Sequence, residues 1–212
     1  MFIELLNYAT KPNVSEAAHL RDAEAAHRVG VKSLPGFRDR MLCGAGEPGQ
    51  WIDMVFWTDQ NSYDAAAPAA TNDPGAMAWA TSIESDTIHL QTAELLGGYR
   101  KEDFRLDATG CWSLLTWFTH PGVAVEDHIT LIRAAQAQLL PALDGFVSCA
   151  TARHPATGEF FEFVAWRDLD AAKKGLPAFE DACNRHPRLQ IVLHQRDKRR
   201  VKQAFLVAKR RL

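Results

Sequence analysis

The sequence predicts an α+β fold built from two copies of one βαββαβ unit in tandem, and three observations predict it. The 212-residue chain matches itself at a constant offset of 109 positions. Each copy alternates short β-forming runs with Ala-rich helical stretches. The predicted strands are apolar on both sides, which calls for two covered sheet faces.

The offset carries Leu5-Leu6 onto Leu114-Leu115, the Thr10, Pro12 and Val14 turn onto Thr119, Pro121 and Val123, and Leu34, Gly36 and Phe37 onto Leu143, Gly145 and Phe146. Gly49, Val55, Trp57, Asp59 and Pro68-Ala69 follow onto Gly158, Val164, Trp166, Asp168 and Pro177-Ala178. Between residues 2 and 70, 17 of 69 aligned pairs are identical, against roughly 4 or 5 for unrelated segments of average composition. A repeat this long is a domain, not a solenoid unit.

The elements follow in order. Phe2 to Tyr8 is an apolar-rich run ended by Lys-Pro-Asn, and Trp112 to Phe118 is its partner ended by His-Pro-Gly; both predict first strands. Ser15 to Val31, with Ser15 as N-cap, and Glu126 to Leu140 predict the first helices. The corners Leu-Pro-Gly-Phe and Leu-Asp-Gly-Phe place glycine where a left-handed residue closes a helix. Second and third strands, at 37–43 with 51–57 and at 146–152 with 160–166, form hairpins. Second helices are expected near 62–71 and 169–184, and last strands at 87–95 and 201–208. Unit 1 is thus expected over residues 1–97, a linker over 98–110, and unit 2 over 111–212. A βαββαβ order gives a four-stranded antiparallel sheet with both helices on one face, the ferredoxin-like arrangement. Two such sheets, packed face to face, would cover each other's helix-free sides.

Composition narrows the function classes. The chain is 47% hydrophobic and 24% charged, with a net charge of −2, as expected of a soluble globular protein. That charge is divided as −7 over residues 1–109 and +5 over the remainder, which favours docking of one half on the other. The first residues lack a basic leader, and no apolar run reaches the roughly 18 residues of a membrane span. A cytoplasmic protein without membrane or nucleic-acid partners is therefore expected, the basic cluster Lys198, Arg199, Arg200 and Lys202 being a solvated strand edge. Cys43, Cys111, Cys149 and Cys183 have no CxxC spacing, so buried free thiols are expected and neither zinc nor disulfides. No GxSxG, HExxH, P-loop or GxGxxG sequence occurs, so no bound cofactor is expected.

The Pro-x-Val turn after a first strand, the Leu-Pro-Gly-Phe corner and the strand ending Val-Phe-Trp resemble the dimeric α+β barrel superfamily, in particular its antibiotic-biosynthesis-monooxygenase-like branch. Both halves carry the resemblance, so it implies a pseudo-dimeric barrel made by one chain, with a homodimer of fused chains left open. It implies a small-molecule ligand held between sheet and helices of one unit. The leading implied activity is a cofactor-independent monooxygenase acting on an aromatic or quinol-like substrate, whose anion itself reduces dioxygen. A non-catalytic small-molecule-binding or stress-related barrel is the alternative, and a haem-binding or haem-degrading protein the third. For haem, the resemblance wants a Trp and a His on the second helix. This chain has Ala66 and Gly175 at the first position, Ala76 and Arg185 at the second.

The candidate site residues follow from this expectation. Asn7 interrupts an apolar strand beside Ile3 and Leu5 and could bond a substrate oxygen if that side faces the helices; Thr116 is its counterpart. His19 and His128 occupy equivalent helix positions, and His27 lies eight residues after His19 on nearly the same helical face. A histidine facing a pocket could serve as general base, whereas a histidine on a helix surface would be partly exposed. Asn7, His19 and His27 are the catalytic candidates. Trp57, Tyr8, Thr116, His128 and Trp166 are the substrate-binding candidates, and no metal ligands are expected. Asp53 and Glu162 share a register in apolar third strands, where a rim position with an ion-pair partner is expected.

Overall fold

In a computed structural model, residues 1–100 and 109–212 are described. The chain divides into two compact units: unit 1 comprises Met1–Glu94 with Ala208–Leu212, and unit 2 comprises Leu95–Val207.

In unit 1, β1 (Phe2–Ala9), α1 (Glu16–Val29), β2 (Phe37–Gly44), β3 (Gln50–Trp57), α2 (Gln60–Asn72), α3 (Pro74–Ala80) and the first half of β4 (His89–Arg100) follow one another. β1 pairs antiparallel with β3 on one side and β4 on the other, and β3 pairs with β2. β3 is thus an interior strand. The chain end, Ala208–Leu212, extends this sheet beside β2, where the Leu212 amide donates to the Arg40 carbonyl at 2.9 Å.

Unit 2 runs β5 (Cys111–Trp117), α4 (Val125–Leu139), β6 (Phe146–Arg153), β7 (Phe160–Trp166), α5 (Leu169–Arg185), α6 (Gln190–Gln195) and β8 (Lys202–Arg211), the last shared with unit 1. β5 lies between β7 and β8, and β7 pairs with β6. The end of β4 joins this unit, with Tyr99 stacked on Phe146. Gly97 and Gly98 lie within β4, and residues 101–108 of the expected linker lie outside the described residues.

Local chemistry explains the boundaries. The Ser15 hydroxyl accepts from the Ala18 amide at 3.2 Å and starts α1. Gly36 and Gly145 sit at φ 81° and 75°, and a Cβ on Gly36 would meet the Ser62 side chain at 2.3 Å, so the corner needs glycine on both counts. One break went unforeseen: α2 stops before Asp73, whose carboxylate accepts from the Ala76 amide at 2.8 Å while Pro74 opens α3. α5, by contrast, runs unbroken for 17 residues.

Side chains alternate across the sheets. In unit 1, Phe2 and Tyr8 of β1 face the helices, touching Tyr63 and His19. The opposite face carries Ile3, Leu5, Ile52 and Met54, all buried. In unit 2 the helix-free face carries Leu114, Phe161 and Phe163, also buried. Both faces of the central strands β1, β3, β5 and β7 are therefore largely removed from water. All four cysteines are buried and unpaired. Among the described residues, no helix is long and apolar enough to cross a membrane.

Candidate functional site

A cavity of about 300 Å³ lies between the sheet and the helices of unit 1. Leu6, Val55 and Trp57 form its sheet wall, Ala26 and Val31 one flank, and Ala76, Met77, Trp79 and Ala80 the wall supplied by α3. Its polar groups are Glu4, Arg40 and Asp53. Small residues on α3 leave this space open. Gly75 lets α3 approach α1 so closely that a Cβ there would stand 3.2 Å from the Ala26 Cα.

The equivalent positions in unit 2 are filled. Moving Ala26, Val31, Arg40, Val55 and Trp57 on by 109 gives Ala135, Leu140, Cys149, Val164 and Trp166, which join Phe179, Cys183 and Leu189 in one apolar cluster. Gly175 is pressed against the Trp166 ring, 2.2 Å from where its Cβ would lie. The unbroken α5 thus brings large side chains to where α2 and α3 bring alanines.

Arg40 and Asp53 form an interior ion pair. The Arg40 Nε donates to both Asp53 oxygens at 3.0 Å, its Nη2 to Oδ2 at 2.6 Å, and its Nη1 to the Ala23 carbonyl at 3.4 Å. Both residues are buried, so the expected rim position of Asp53 is corrected: β3 is interior, and the guanidinium allows a carboxylate there. Burial opposes the charge on Arg40, and Asp53 outweighs it, so the Arg40 pKa rises. Arg40 also lies 5.0 Å from the Trp79 ring centroid. Glu162 is likewise interior in unit 2, accepting from the Gln136 amide at 2.8 Å and lying 3.5 Å from Arg196.

Among the described residues, Glu4 has no ion-pair partner of its own. It accepts a hydrogen bond from the Trp57 Nε1 at 3.3 Å. Desolvation first, and then the Asp53 charge, push its carboxyl up to about 7 from an ordinary 4.5, against the smaller pull of Trp57 and Arg40. This group changes charge in the neutral range while facing an apolar cavity.

The expected residues are placed as follows. Asn7 lies with Ile3 and Leu5 on the face of β1 opposite Glu4 and Leu6, so it is not among the residues lining this cavity. Thr116 likewise lies on the helix-free face of β5, with its hydroxyl unpartnered. Trp57 lines the cavity. Trp166 is core, donating from Nε1 to the Ser113 hydroxyl at 3.0 Å.

The three helix histidines are buried, not partly exposed. Tyr8 and His19 are 2.9 Å apart, His19 Nδ1 and Ser82 Oγ 3.1 Å, and the Ser82 hydroxyl donates to the Trp79 carbonyl at 2.7 Å. Since Ser82 gives its proton to Trp79, it accepts from Nδ1–H, and Nε2 accepts from Tyr8. His19 is thereby a neutral link in a closed chain, its pKa lowered to about 4 chiefly by burial. In unit 2, Trp117 Nε1 donates to His128 Nε2 at 3.0 Å, and Nδ1 meets Gln195 Oε1 at 2.7 Å. Burial lowers the His128 pKa as well. His27 packs on Phe37 with Nδ1 unpartnered, and burial, then Arg40, lower its pKa.

Glu4 and Arg40 are the site residues that sequence reasoning missed. A signal was present: Glu4 is a charge at the same strand register as Phe2 and Tyr8, the large aromatics that mark the helix side.

The cavity residues do not fit haem. Haem iron is held by imidazole, thiolate, phenolate or thioether. The lining offers no histidine, cysteine or tyrosine, its single methionine, Met77, is exposed, and Ala66 and Ala76 stand where the resemblance wants Trp and His. Among the described residues, no group of three or more His, Cys, Asp or Glu could hold a metal ion.

No family model matches the sequence, and no curated protein matches it. Solved structures do. A protein named "putative monooxygenase" from Fusobacterium nucleatum subsp. nucleatum superposes with a TM-score of 0.71 at 10% identity, covering 99% of this chain and 93% of that one. An anthrone oxidase-like protein gives 0.66 at 9% identity, covering 100% and 92%. A chlorite dismutase from Candidatus Nitrospira defluvii gives 0.60 at 7% identity, covering 99% and 91%. The chain thus shares its fold with these three proteins.

Proposed function

We propose that unit 1 binds a small, electron-rich ring compound and oxidises it with dioxygen without a bound cofactor, Glu4 acting as general base. The observation that supports this reading is a carboxyl poised near neutral pH on the wall of a cavity whose other polar groups, Arg40 and Asp53, are paired with each other. An ionised Glu4 takes a proton from an acidic C–H or O–H of the ring system. The resulting anion reduces dioxygen. For an activated ring methylene, one methylene group and one dioxygen molecule give one ketone carbonyl and one water. Both methylene C–H bonds and the O–O bond break; one oxygen atom ends in the carbonyl and the other in water. That water carries both former methylene hydrogens, one of them the proton held by Glu4. The protein contributes orientation, a dry site and the base.

In this reading Asn7, His19 and His27 are not the catalytic set, since Asn7 faces the other way and His19 has no free acceptor. Trp57 positions Glu4 and walls the ring. The neighbours named monooxygenase and anthrone oxidase-like agree in fold and lend the reaction class. We also read the chain as a tandem duplication of a ferredoxin-like unit. The 109-residue offset supports it.

Oxygen consumption against a panel of hydroquinones and anthrone-type ring ketones tests the function. Uptake with at least one of them, reduced about 100-fold or more in Glu4→Gln, is expected. Binding without uptake would instead favour the non-catalytic binding protein.

A further inference from the structure

We propose that Arg40 holds the carbonyl oxygen of a ring ketone and stabilises the oxyanion that forms there when Glu4 removes a proton from the ring methylene. This rests on the reading of Glu4 as the base of the unit 1 cavity and adds a second catalytic residue to it.

The strand register sets the two groups on either side of one residue. Val55 of β3 pairs with Glu4 of β1 on one side and with Arg40 of β2 on the other, and all three line the cavity. Adjacent strands stand about 4.8 Å apart, so the backbones that carry the carboxylate and the guanidinium are separated by about 10 Å, with Val55 between them. The polar heads do not close that gap. Trp57, opposite Phe2 on β3, draws the Glu4 carboxylate toward one end of the sheet face, while Asp53, opposite Leu6, draws Arg40 toward the other. No ion pair joins Glu4 to Arg40 among the described residues.

Arg40 has donors left for a ligand. A guanidinium carries five N–H groups in one plane. The Nε–H is shared between both Asp53 oxygens, one Nη2–H goes to Asp53 Oδ2, and one Nη1–H makes a long 3.4 Å bond to the Ala23 carbonyl. One N–H on each terminal nitrogen therefore has no acceptor among the described residues. Asp53 sits along the edge formed by Nε and Nη2, so the second Nη2–H is turned away from that carboxylate. A buried N–H without an acceptor is costly, and a carbonyl oxygen in the adjoining cavity supplies one.

These donors act where charge develops. Proton removal breaks a methylene C–H bond and makes an O–H bond on Glu4; the electron pair moves through the ring to the carbonyl oxygen. Negative charge thus passes from Glu4 to an oxygen beside Arg40, where a charge-assisted hydrogen bond is stronger than the bond to the neutral ketone. Asp53 and the Ala23 carbonyl already fix the guanidinium, so no reorganisation accompanies the step.

The test is hydrogen exchange at the anthrone methylene in deuterated buffer without dioxygen, followed by proton NMR, which isolates proton transfer from the oxygen chemistry. The variant combines Arg40→Leu with Asp53→Leu and so removes both charges together; the two act on the Glu4 carboxyl in opposite directions, so their loss partly cancels there. The wild type should catalyse exchange. In the double variant the saturated exchange rate should fall at least about tenfold, while dihydroanthracene, which has no carbonyl, should bind within about threefold of its wild-type affinity. A smaller loss of exchange would overturn the role of Arg40 and leave Glu4 as the base. An equal loss of dihydroanthracene binding would overturn it as well, since the pair would then only shape the cavity. Absence of exchange with the wild type would overturn both residues' roles. A measurement on the wild type alone decides the matter if the variant does not fold: the infrared carbonyl stretch of bound anthrone should lie below its value in hexane, and a stretch at or above that value would overturn the proposal. Exchange that depends on Arg40 without oxygen uptake in air would leave it standing and remove the oxidase reading.

Discussion

Replacing Glu4 by Gln should stabilise the protein above neutral pH and leave it unchanged in acid. The folded state holds the Glu4 proton up to about pH 7, whereas the unfolded chain releases it near 4.5. Between those values the native state binds more protons than the unfolded one, so stability falls as pH rises and levels off above about 7. The difference of about 2.5 pKa units corresponds to an upper bound of about 3 kcal/mol of destabilisation by the ionised carboxylate. Glutamine is nearly isosteric, keeps an oxygen to accept from Trp57 and carries no charge. Urea unfolding followed by tryptophan fluorescence at about pH 4 and about pH 8 measures the gap. The variant should match the wild type near the lower pH and exceed it by about 1–3 kcal/mol at the higher one. Equal or lower stability of the variant at the higher pH, or a gap independent of pH, would refute the reasoning that Glu4 is ionised at a cost.

Arg40→Leu should destabilise by about 3–5 kcal/mol, because it strands the buried Asp53 carboxylate, and the double variant with Asp53→Leu should recover most of that loss in the same unfolding assay. Ala76→Phe should fill the cavity and weaken ring binding at least tenfold in calorimetry while lowering stability by less than about 1.5 kcal/mol, since the site it fills is open. Acid should act through His19: the unfolded histidine takes its proton near 6.5 and the folded one only near 4, so stability is present above 6.5 and is lost as pH falls toward 4, by up to about 3 kcal/mol. A His19→Gln variant should flatten that acid limb in a thermal melt series.

How much of this was legible in the sequence depends on the length scale of the cause. The repeat located the first three strands and the first helix of each copy to within about two residues, because strand alternation and corner glycines are local signals, whereas the last strands run three to five residues further than expected. The break at Asp73-Pro74 was readable as an N-cap followed by proline, yet it was absorbed into the expectation of one helix per copy. That break is what separates an open unit 1 from a packed unit 2. The site was harder to read. Asn7 drew attention as a polar residue in an apolar strand, but one residue of register decides the face, and Glu4 and Tyr8 carried the opposite answer. The histidines drew attention for their chemistry, whereas their burial comes from Tyr8, Ser82, Trp117 and Gln195, far apart in sequence and joined only by the fold. Arg40 gave no sign of itself until Asp53 was seen beside it.

The pH dependence of oxygen uptake by the wild-type chain and by Glu4→Gln tests the central claim most directly. The rate at limiting substrate should rise with pH to a plateau through an apparent pKa near 7, and should be low and flat in the variant. A wild-type profile that does not change across the neutral range, or a variant that keeps both the rate and the rise, would contradict Glu4 as the base of this cavity.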